Sequence, residues 1–349
     1  MPKEPKKINS SAIIGLGSIG KAHLVRVLSL AERVFVVDPN VEVSTYIENH
    51  KEVDRITYLR SLDEFPIGIH IDFAIISNWG PDHFKTFSEL SALGVKKFLI
   101  EKPLVTKISD FFGIRGAIAN PELFVGVNMP WLEDRLKEQI FGLRDKHLFG
   151  PITNISISGG AKCLSTIGIH YIGLACLLFE SDPIKVTSLI ESQRINPRSL
   201  NLDYLAGTVS WIFGPEKYLQ ICFSNSSHLQ ATAIVNFQFG RIQIDGPNLK
   251  ISSLTQLDRN NIDKPTRTFY PTEVDSQSSD LLVDNAIHGT DVLIASILEE
   301  VQPASVSVAV KSTEALLAML ISSKEERAIA IPITDDLTSK YMNHEWNVS

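Results

Sequence analysis

Three glycines in six residues, Gly15-Leu16-Gly17-Ser18-Ile19-Gly20, follow the apolar run Ala12 to Ile14, and Asp38 closes the next apolar run, Val34 to Val37. A strand, a tight turn, a helix, a second strand and an acid at its tip is the layout that lays a dinucleotide across a parallel sheet. Gly15 permits the tight turn, Gly17 lets the backbone approach a pyrophosphate, and Gly20 lets the helix pack closely on its strand. The helix that opens at Ser18 and Ile19 presents unpaired N–H groups and a partial positive charge to phosphates. Ile19, Ala22, Val25 and Leu28 recur at helical spacing, and Asp38 stands about twenty residues beyond the glycines, where a ribose-binding acid belongs. Its carboxylate is expected to accept hydrogen bonds from the adenosine ribose and to repel a 2′-phosphate. Pro39 and Asn40 supply no arginine for such a phosphate, so NAD is expected in preference to NADP.

At 349 residues, 44% hydrophobic and 21% charged, the chain can bury a large core and is long enough for two domains. A net charge of −7, with basic residues grouped only in the short Lys3 to Lys7 segment, leaves no footprint for nucleic acid or an anionic membrane. A small-molecule partner is expected instead. The three cysteines, Cys163, Cys176 and Cys222, are far apart and fit buried thiols in a reducing compartment, and no Cys/His spacing suggests a metal site. Met1 to Asn9 lacks the apolar core of an export signal, so the expected location is cytoplasmic.

Apolar runs and helical patterns alternate from residue 12 to 127. Strands are expected at Ile56 to Tyr58, Asp72 to Ser77, Lys97 to Glu101 and Leu123 to Val127, with helices opening at Ser61, running from Pro81 to Gly94, and spanning Ile108 to Ala119. That is a doubly wound parallel sheet, an N-terminal Rossmann domain over residues 1–128. Beyond it the texture changes. A helical stretch from Trp131 to about His147, a strand at Ile152 to Ser158 and an apolar helix from Ser165 lead into longer alternating runs. These runs, Val186 to Arg194, Leu205 to Phe213, Tyr218 to Phe223, Ala231 to Phe239 and Arg241 to Asp245, read as an antiparallel meander. One face is apolar and the other mixes Ile212, Cys222 and Ile234 with Thr208, Gln220, Thr232, Asn236 and Gln238. Residues 129–349 are thus expected to form an α+β domain with a large open, mainly antiparallel sheet. Helices follow near Asp280 to Glu299 and Ala309 to Ser323, with a last strand at Ala328 to Ile333 and the most loop-like stretch at Asp258 to Ser279.

Phe98 to Ile100 runs into Glu101-Lys102-Pro103 at the carboxyl edge of the parallel sheet, where doubly wound proteins bind ligands. A dinucleotide fingerprint followed by Glu-Lys-Pro at the end of a later strand resembles the glucose-fructose oxidoreductase, inositol dehydrogenase and rhizopine catabolism (Gfo/Idh/MocA) family. His23, His83 and Gly168-Ile169-His170 extend the resemblance over almost the whole chain. The resemblance implies an NAD-dependent oxidoreductase acting on a secondary alcohol or carbonyl of a sugar, sugar acid, cyclitol or nucleotide-linked sugar. It implies that Lys102 is catalytic, bonding the oxygen that changes oxidation state, and that His170 is its acid/base partner. It also implies cofactor contacts from Ser77, Asn78, Trp79, His83, Glu101, Lys102 and Asn128, and association as a homodimer or homotetramer through the second sheet.

The substrate half departs from the family pattern. Aspartates common four residues before and three after the histidine are replaced by Thr166 and Gly173, and the turn ahead of His83 reads Asn78-Trp79-Gly80. Thr166 is carried with the substrate contacts all the same. Trp79 and Trp131 are expected either to stack on a ligand or to pack at domain seams, and Lys162 either meets an acidic substrate group or is a surface residue. Two other readings stay open: a dinucleotide-binding sensor of the same fold without turnover, favoured by the missing aspartates, and a reductase of C=N or C=C bonds.

Overall fold

The computed structural model describes residues 6–132, 136–160, 162–193, 202–246, 250–257, 271–272 and 285–348. Six short strands, β1 (Ile8–Ile14), β2 (Ala31–Val37), β3 (Ile56–Leu59), β4 (Phe73–Ile76), β5 (Lys97–Ile100) and β6 (Phe124–Val127), form one parallel sheet in the order β3-β2-β1-β4-β5-β6. Ala12, Ile13, Ala74, Ile75, Phe98 and Leu99 are fully buried, as continuous apolar runs covered on both faces require. The connecting helices are α1 (Ser18–Leu28), α2 (Glu42–Glu48), α3 (His83–Ala92) and α4 (Ile108–Ile118). The helix expected from Ser61 is only a single tight turn, Leu62–Glu64. Pro66 and Gly68 follow it directly and cannot carry a helix on. Strand order reverses between β1 and β4, so the loops after β1, β4 and β5 meet at one crevice.

The second sheet follows α5 (Leu136–Lys146). Its strands are β7 (Ile152–Gly159), then after α6 (Ile169–Phe179) β8 (Lys185–Gln193), β9 (Tyr204–Gly214), β10 (Lys217–Phe223), β11 (Thr232–Phe237), β12 (Gly240–Asp245), β13 (Lys250–Leu257) and β14 (Pro271–Thr272). After α7 (Asn285–Leu298) and α8 (Ser305–Glu325), β15 (Ile329–Ala330) closes the edge, giving the nine-strand order β14-β13-β12-β11-β7-β10-β9-β8-β15. The sheet is mainly antiparallel, with one correction to the meander. β7 inserts between β10 and β11 and runs parallel to β10, so strands adjacent in sequence are not all adjacent in space. Most of the loop-like stretch at Asp258 to Ser279, and residues 280–284 of the helix expected from Asp280, lie outside the described residues.

Strand alternation sorts this sheet into two faces. Val209, Trp211, Leu219, Ile221, Ile157 and Val235 are buried under α6 and α8, and the Trp211 indole N–H donates to the Ala315 carbonyl at 3.3 Å. Thr208, Gln220 and Cys222 are exposed on the other face, beside the half-buried Ile212, Thr232, Ile234 and Asn236. α8 is 21 residues long and apolar, and 72% of its most apolar window is buried inside the fold.

One helix crosses from the C-terminal half to the first sheet. Leu293 and Ile297 of α7 pack with Leu99 and Ile75 on the same face as Leu24 and Val27 of α1. Gly126 in β6 is what admits it: a Cβ there would lie 2.8 Å from the Ile297 Cδ1 and 3.5 Å from the Leu293 Cδ2. Gly126→Ala is expected to lower stability by about 1–3 kcal/mol through overpacking. Ile297→Val in the same chain should recover part of that loss, read as the midpoint of denaturant unfolding.

Candidate functional site

The turn between β1 and α1 is built by its glycines. Gly15 sits at φ +88°, and a Cβ on it would lie 2.6 Å from the Asn78 backbone nitrogen, while a Cβ on Gly20 would lie 2.1 Å from the Gly15 carbonyl oxygen. Neither position accepts another residue without moving backbone. Gly17 differs. Its φ of −66° is ordinary, and a Cβ there would meet nothing within 4 Å. The fold therefore does not need glycine at 17; the open space in front of it is the cradle into which a pyrophosphate fits. Gly17 is also the N-cap of α1 and contributes no side-chain bond, so the N–H groups of Ser18, Ile19 and Gly20 have no helical partner and face that space.

Asp38 stands at the tip of β2 as the sequence requires. Its Oδ2 accepts the Leu16 N–H at 2.6 Å and its Oδ1 the Asn40 N–H at 2.9 Å. These bonds pin the carboxylate beside the glycine turn. Each oxygen keeps a lone pair, enough to receive ribose hydroxyls. These residues fit a bound dinucleotide.

Ser77 and Asn78 close the floor of the crevice. The Ser77 hydroxyl donates to the Gly15 carbonyl at 2.8 Å, which ties β4 to the glycine turn. Asn78 donates through Nδ2 to Thr86 at 2.9 Å, and its Oδ1 is buried without a partner. Trp79 is 49% exposed at the rim. His83 is not: its ring is buried between the Pro103 carbonyl, 2.9 Å from Nδ1, and the Asn78 carbonyl, 3.1 Å from Nε2. Burial holds its pKa below the usual value despite both carbonyls. These contacts join the β4 and β5 turns through His83.

Glu101 is likewise internal. It is buried, and its Oε1 accepts the His23 Nε2–H at 2.8 Å and the Asn128 Nδ2–H at 2.6 Å. Burial alone would raise its pKa, but those two donors and the nearby Lys102 charge outweigh it and hold the carboxyl below its ordinary range. Asn128 in turn accepts the Thr290 hydroxyl of α7 at 2.9 Å. Of the residues expected among the cofactor contacts, Glu101 and Asn128 bond each other, and His83 meets the carbonyls of Asn78 and Pro103. Sequence reading missed Thr290 altogether, because nothing near residue 290 announces a partner 162 positions earlier.

Lys102 follows Glu101 at the carboxyl end of β5 and is half-buried. Across from it, His170 lies in the first turn of α6, 8% exposed, behind a single wide turn formed by Cys163–Gly168 that also holds the half-buried Thr166. Burial, reinforced by the Lys102 charge and opposed by Glu101, pushes His170 down to about 3. The ring is therefore neutral at neutral pH. Its Nδ1 is sealed from solvent and has no hydrogen-bond partner. Trp131 packs against it, ring centroids 5.1 Å apart, and meets Tyr171 edge-on at 5.1 Å. Lys162, half-buried, precedes the wide turn.

Where the family pattern has an aspartate after the histidine, Gly173 is closely approached by the ends of neighbouring side chains. A Cβ on Gly173 would lie 2.7 Å from the Met129 Cε, 3.0 Å from Leu132 Cδ2 and 3.4 Å from the Ser312 hydroxyl. The substitution is built into the packing of α6.

Residues 10–128 match the family model GFO_IDH_MocA, the oxidoreductase family with an NAD-binding Rossmann fold. No curated protein matches the chain. Among solved structures, the apo scyllo-inositol dehydrogenase of Lactobacillus casei is similar at 15% identity and a TM-score of 0.70, over 94% of this chain and 100% of that one. The WlbA dehydrogenase of Chromobacterium violaceum, in complex with NADH and UDP-GlcNAcA, is similar at 18% identity and TM-score 0.69, over 96% of this chain and 100% of that one. A putative NADPH-dependent oxidoreductase of Desulfitobacterium hafniense is similar at 12% identity and TM-score 0.71, over 96% and 99% of the two chains. Identities this low establish a shared fold.

The neutral His170 makes a prediction about stability. Its folded pKa lies below its unfolded one, so its contribution is complete above pH 6.5 and is lost as pH falls from there toward about 3. Relative to His170→Gln, the parent is expected to lose up to about 1.4 kcal/mol per pH unit over that window. Unfolding midpoints of both proteins at pH 7, 5.5 and 4.5 check it; parallel curves contradict it.

Proposed function

We propose that the protein is an NAD-dependent oxidoreductase that moves a hydride between nicotinamide and a secondary alcohol or carbonyl carbon of a sugar, sugar acid, cyclitol or nucleotide-linked sugar. Residues 1–128 bind the cofactor and residues 129–349 carry the substrate side and the assembly surface. The reading is carried by one observation: Lys102 stands at the carboxyl edge of the parallel sheet, close enough for its charge to depress His170 on α6. Relatives of this fold include dehydrogenases of inositol and a dehydrogenase in complex with a nucleotide-linked sugar acid.

Gly15, Gly17, Ser18, Ile19, Gly20 and Asp38 hold the dinucleotide, framed by Ser77, Asn78 and Trp79. When bound, the nicotinamide supplies the hydride acceptor or donor. Lys102 donates a hydrogen bond from its ammonium to the reacting oxygen and stabilises alkoxide character as it develops. His170, neutral, is in the right state to take the hydroxyl proton during oxidation, and it does so through Nε2 because Nδ1 is closed off. Thr166 and Lys162 complete the substrate wall, while Trp131 fixes the imidazole plane. The preference for NAD rests on Asp38 and on the absence of a basic neighbour at Pro39 and Asn40.

The packing around Gly173 favours a second reading. Without a carboxylate to support an imidazolium, the site suits a sensor that binds dinucleotide without turnover, or reduction of a C=N or C=C bond. A substrate panel followed at the nicotinamide absorbance separates these. Hydride transfer to a sugar or cyclitol is expected, faster with NAD than with NADP, and Asp38→Ala should narrow that difference. Lys102→Ala should retain NAD binding and lose about 10²- to 10³-fold in turnover. Turnover of an identified substrate at the parental rate by Lys102→Ala would remove the proposed mechanism.

We also propose that the open face of the second sheet pairs two copies of the chain. It sets Ile212, Ile234 and Cys222 among Thr208, Gln220, Thr232 and Asn236, a mixture suited to a face that alternates between water and a partner. Light scattering at micromolar concentration should give at least about twice 38.7 kDa, the mass of one chain. A single-chain mass rules this contact out.

A further inference from the structure

The residues after α9 (Asp335–Tyr341) turn back across the carboxyl edge of the parallel sheet. The Met342 carbonyl accepts the Ser109 N–H at 3.1 Å, Glu345 forms an antiparallel bridge with Lys107, and the Trp346 N–H donates to the Thr106 carbonyl at 3.3 Å. Val348 is 1% exposed. Its carbonyl oxygen lies 3.2 Å from the point where a Cβ on Gly80 would sit, with the Thr106 Cγ2 at 3.1 Å and the Pro103 Cγ at 3.4 Å from the same point. From the other side, the Asp203 N–H ahead of β9 donates to the Asn347 carbonyl at 2.7 Å. One extended segment thus touches the turn that carries Trp79, the turn that carries Lys102, and the second sheet.

Lys102 to Lys107 contains no helix or ladder strand; Leu104, Val105 and Thr106 are buried in the core, the His83 ring contacts the Pro103 carbonyl, and the tail adds the hydrogen bonds that tie the outer backbone of the turn. A lysine that must place its ammonium against a reacting oxygen depends on the backbone of that turn, and displacement of about 1 Å costs about 10²-fold in rate. We propose that Trp346 and Val348 are positioning residues, and that the segment Met342 to Val348 straps the Lys102 turn between the Trp79–Gly80 turn and the second sheet. The strap fixes Lys102 relative to His170 without touching the glycine turn. The inference rests on the reading of Lys102 as the group that meets the reacting oxygen.

The test uses the full chain, a chain ending after Glu345, and the milder Val348→Ala in case truncation impairs folding. Amide hydrogen exchange, NAD binding, substrate turnover and the rate at which an amine reagent labels Lys102 are read together. In both variants the amides of residues 104–109 should exchange at least about tenfold faster, while residues 15–20 and NAD affinity stay as in the parent. Labelling of Lys102 should quicken and turnover should fall by about 10²-fold. A peptide covering Tyr341 to Ser349, added to the truncated chain, should restore both. Unchanged exchange over 104–109 overturns the strap, as does faster exchange with parental turnover. So does a uniform rise in exchange with loss of NAD binding, which marks a general packing role. If the parent turns over none of the panel, the oxidoreductase reading fails by itself, and exchange with Lys102 labelling still decides the strap.

Discussion

A buried carboxylate must be compensated where it lies, and Glu101 is compensated by groups from two other elements, one of them tied in turn to a third. His23 comes from α1, immediately behind the glycine turn; Asn128 closes β6; Thr290 reaches Asn128 from α7. Breaking a buried pair of this kind costs about 3–5 kcal/mol because the remaining charge is stranded. The consequence is geometric as much as energetic. The residue before Lys102 is locked to the helix that faces the cofactor and to a helix supplied by the far end of the chain, so the lysine inherits its place from both. His83 adds a second lock on the following proline.

The other side of the crevice follows a different principle. Burial outweighs the support that the Glu101 charge gives His170, whose surroundings are Trp131, Tyr171 and the apolar packing of α6. An imidazole in such surroundings stays neutral, and the ammonium of Lys102 deepens that preference. Under the proposed mechanism lysine and histidine divide the work by charge, one as the cation that steadies developing negative charge and the other as the neutral base. Met129 and Leu132 pack closely on Gly173, where the family pattern has its second aspartate.

Much of this was legible one residue at a time. The six parallel strands, their order of appearance, the glycine turn and Asp38 all depend on short-range periodicity and on backbone conformations that only glycine tolerates, as at Gly15 with φ +88°. Lys102 and His170 could be singled out only by their resemblance to a family pattern, since a lysine before proline and a histidine in an apolar helix have ordinary explanations. The hydrogen-bond partners of His83, Glu101 and Asn128 lie far along the chain or in backbone carbonyls, so no local pattern announces them. Ser61 was misjudged because a polar residue before an acidic pair looks like a helix start until the proline and glycine beyond it are weighed.

By itself the sequence determined the local elements, the two kinds of sheet and the turn that admits a dinucleotide, because each is written within a window of a few residues. Tertiary structure decided what no window contains. It inserted β7 between β10 and β11 and carried α7 onto the first sheet through the space left by Gly126. It also joined Thr290 to Asn128 and Trp346 to Thr106. Those contacts exist because buried polar groups must find partners and apolar faces must be covered, and the groups that satisfy them are chosen by proximity in the folded chain, not along it.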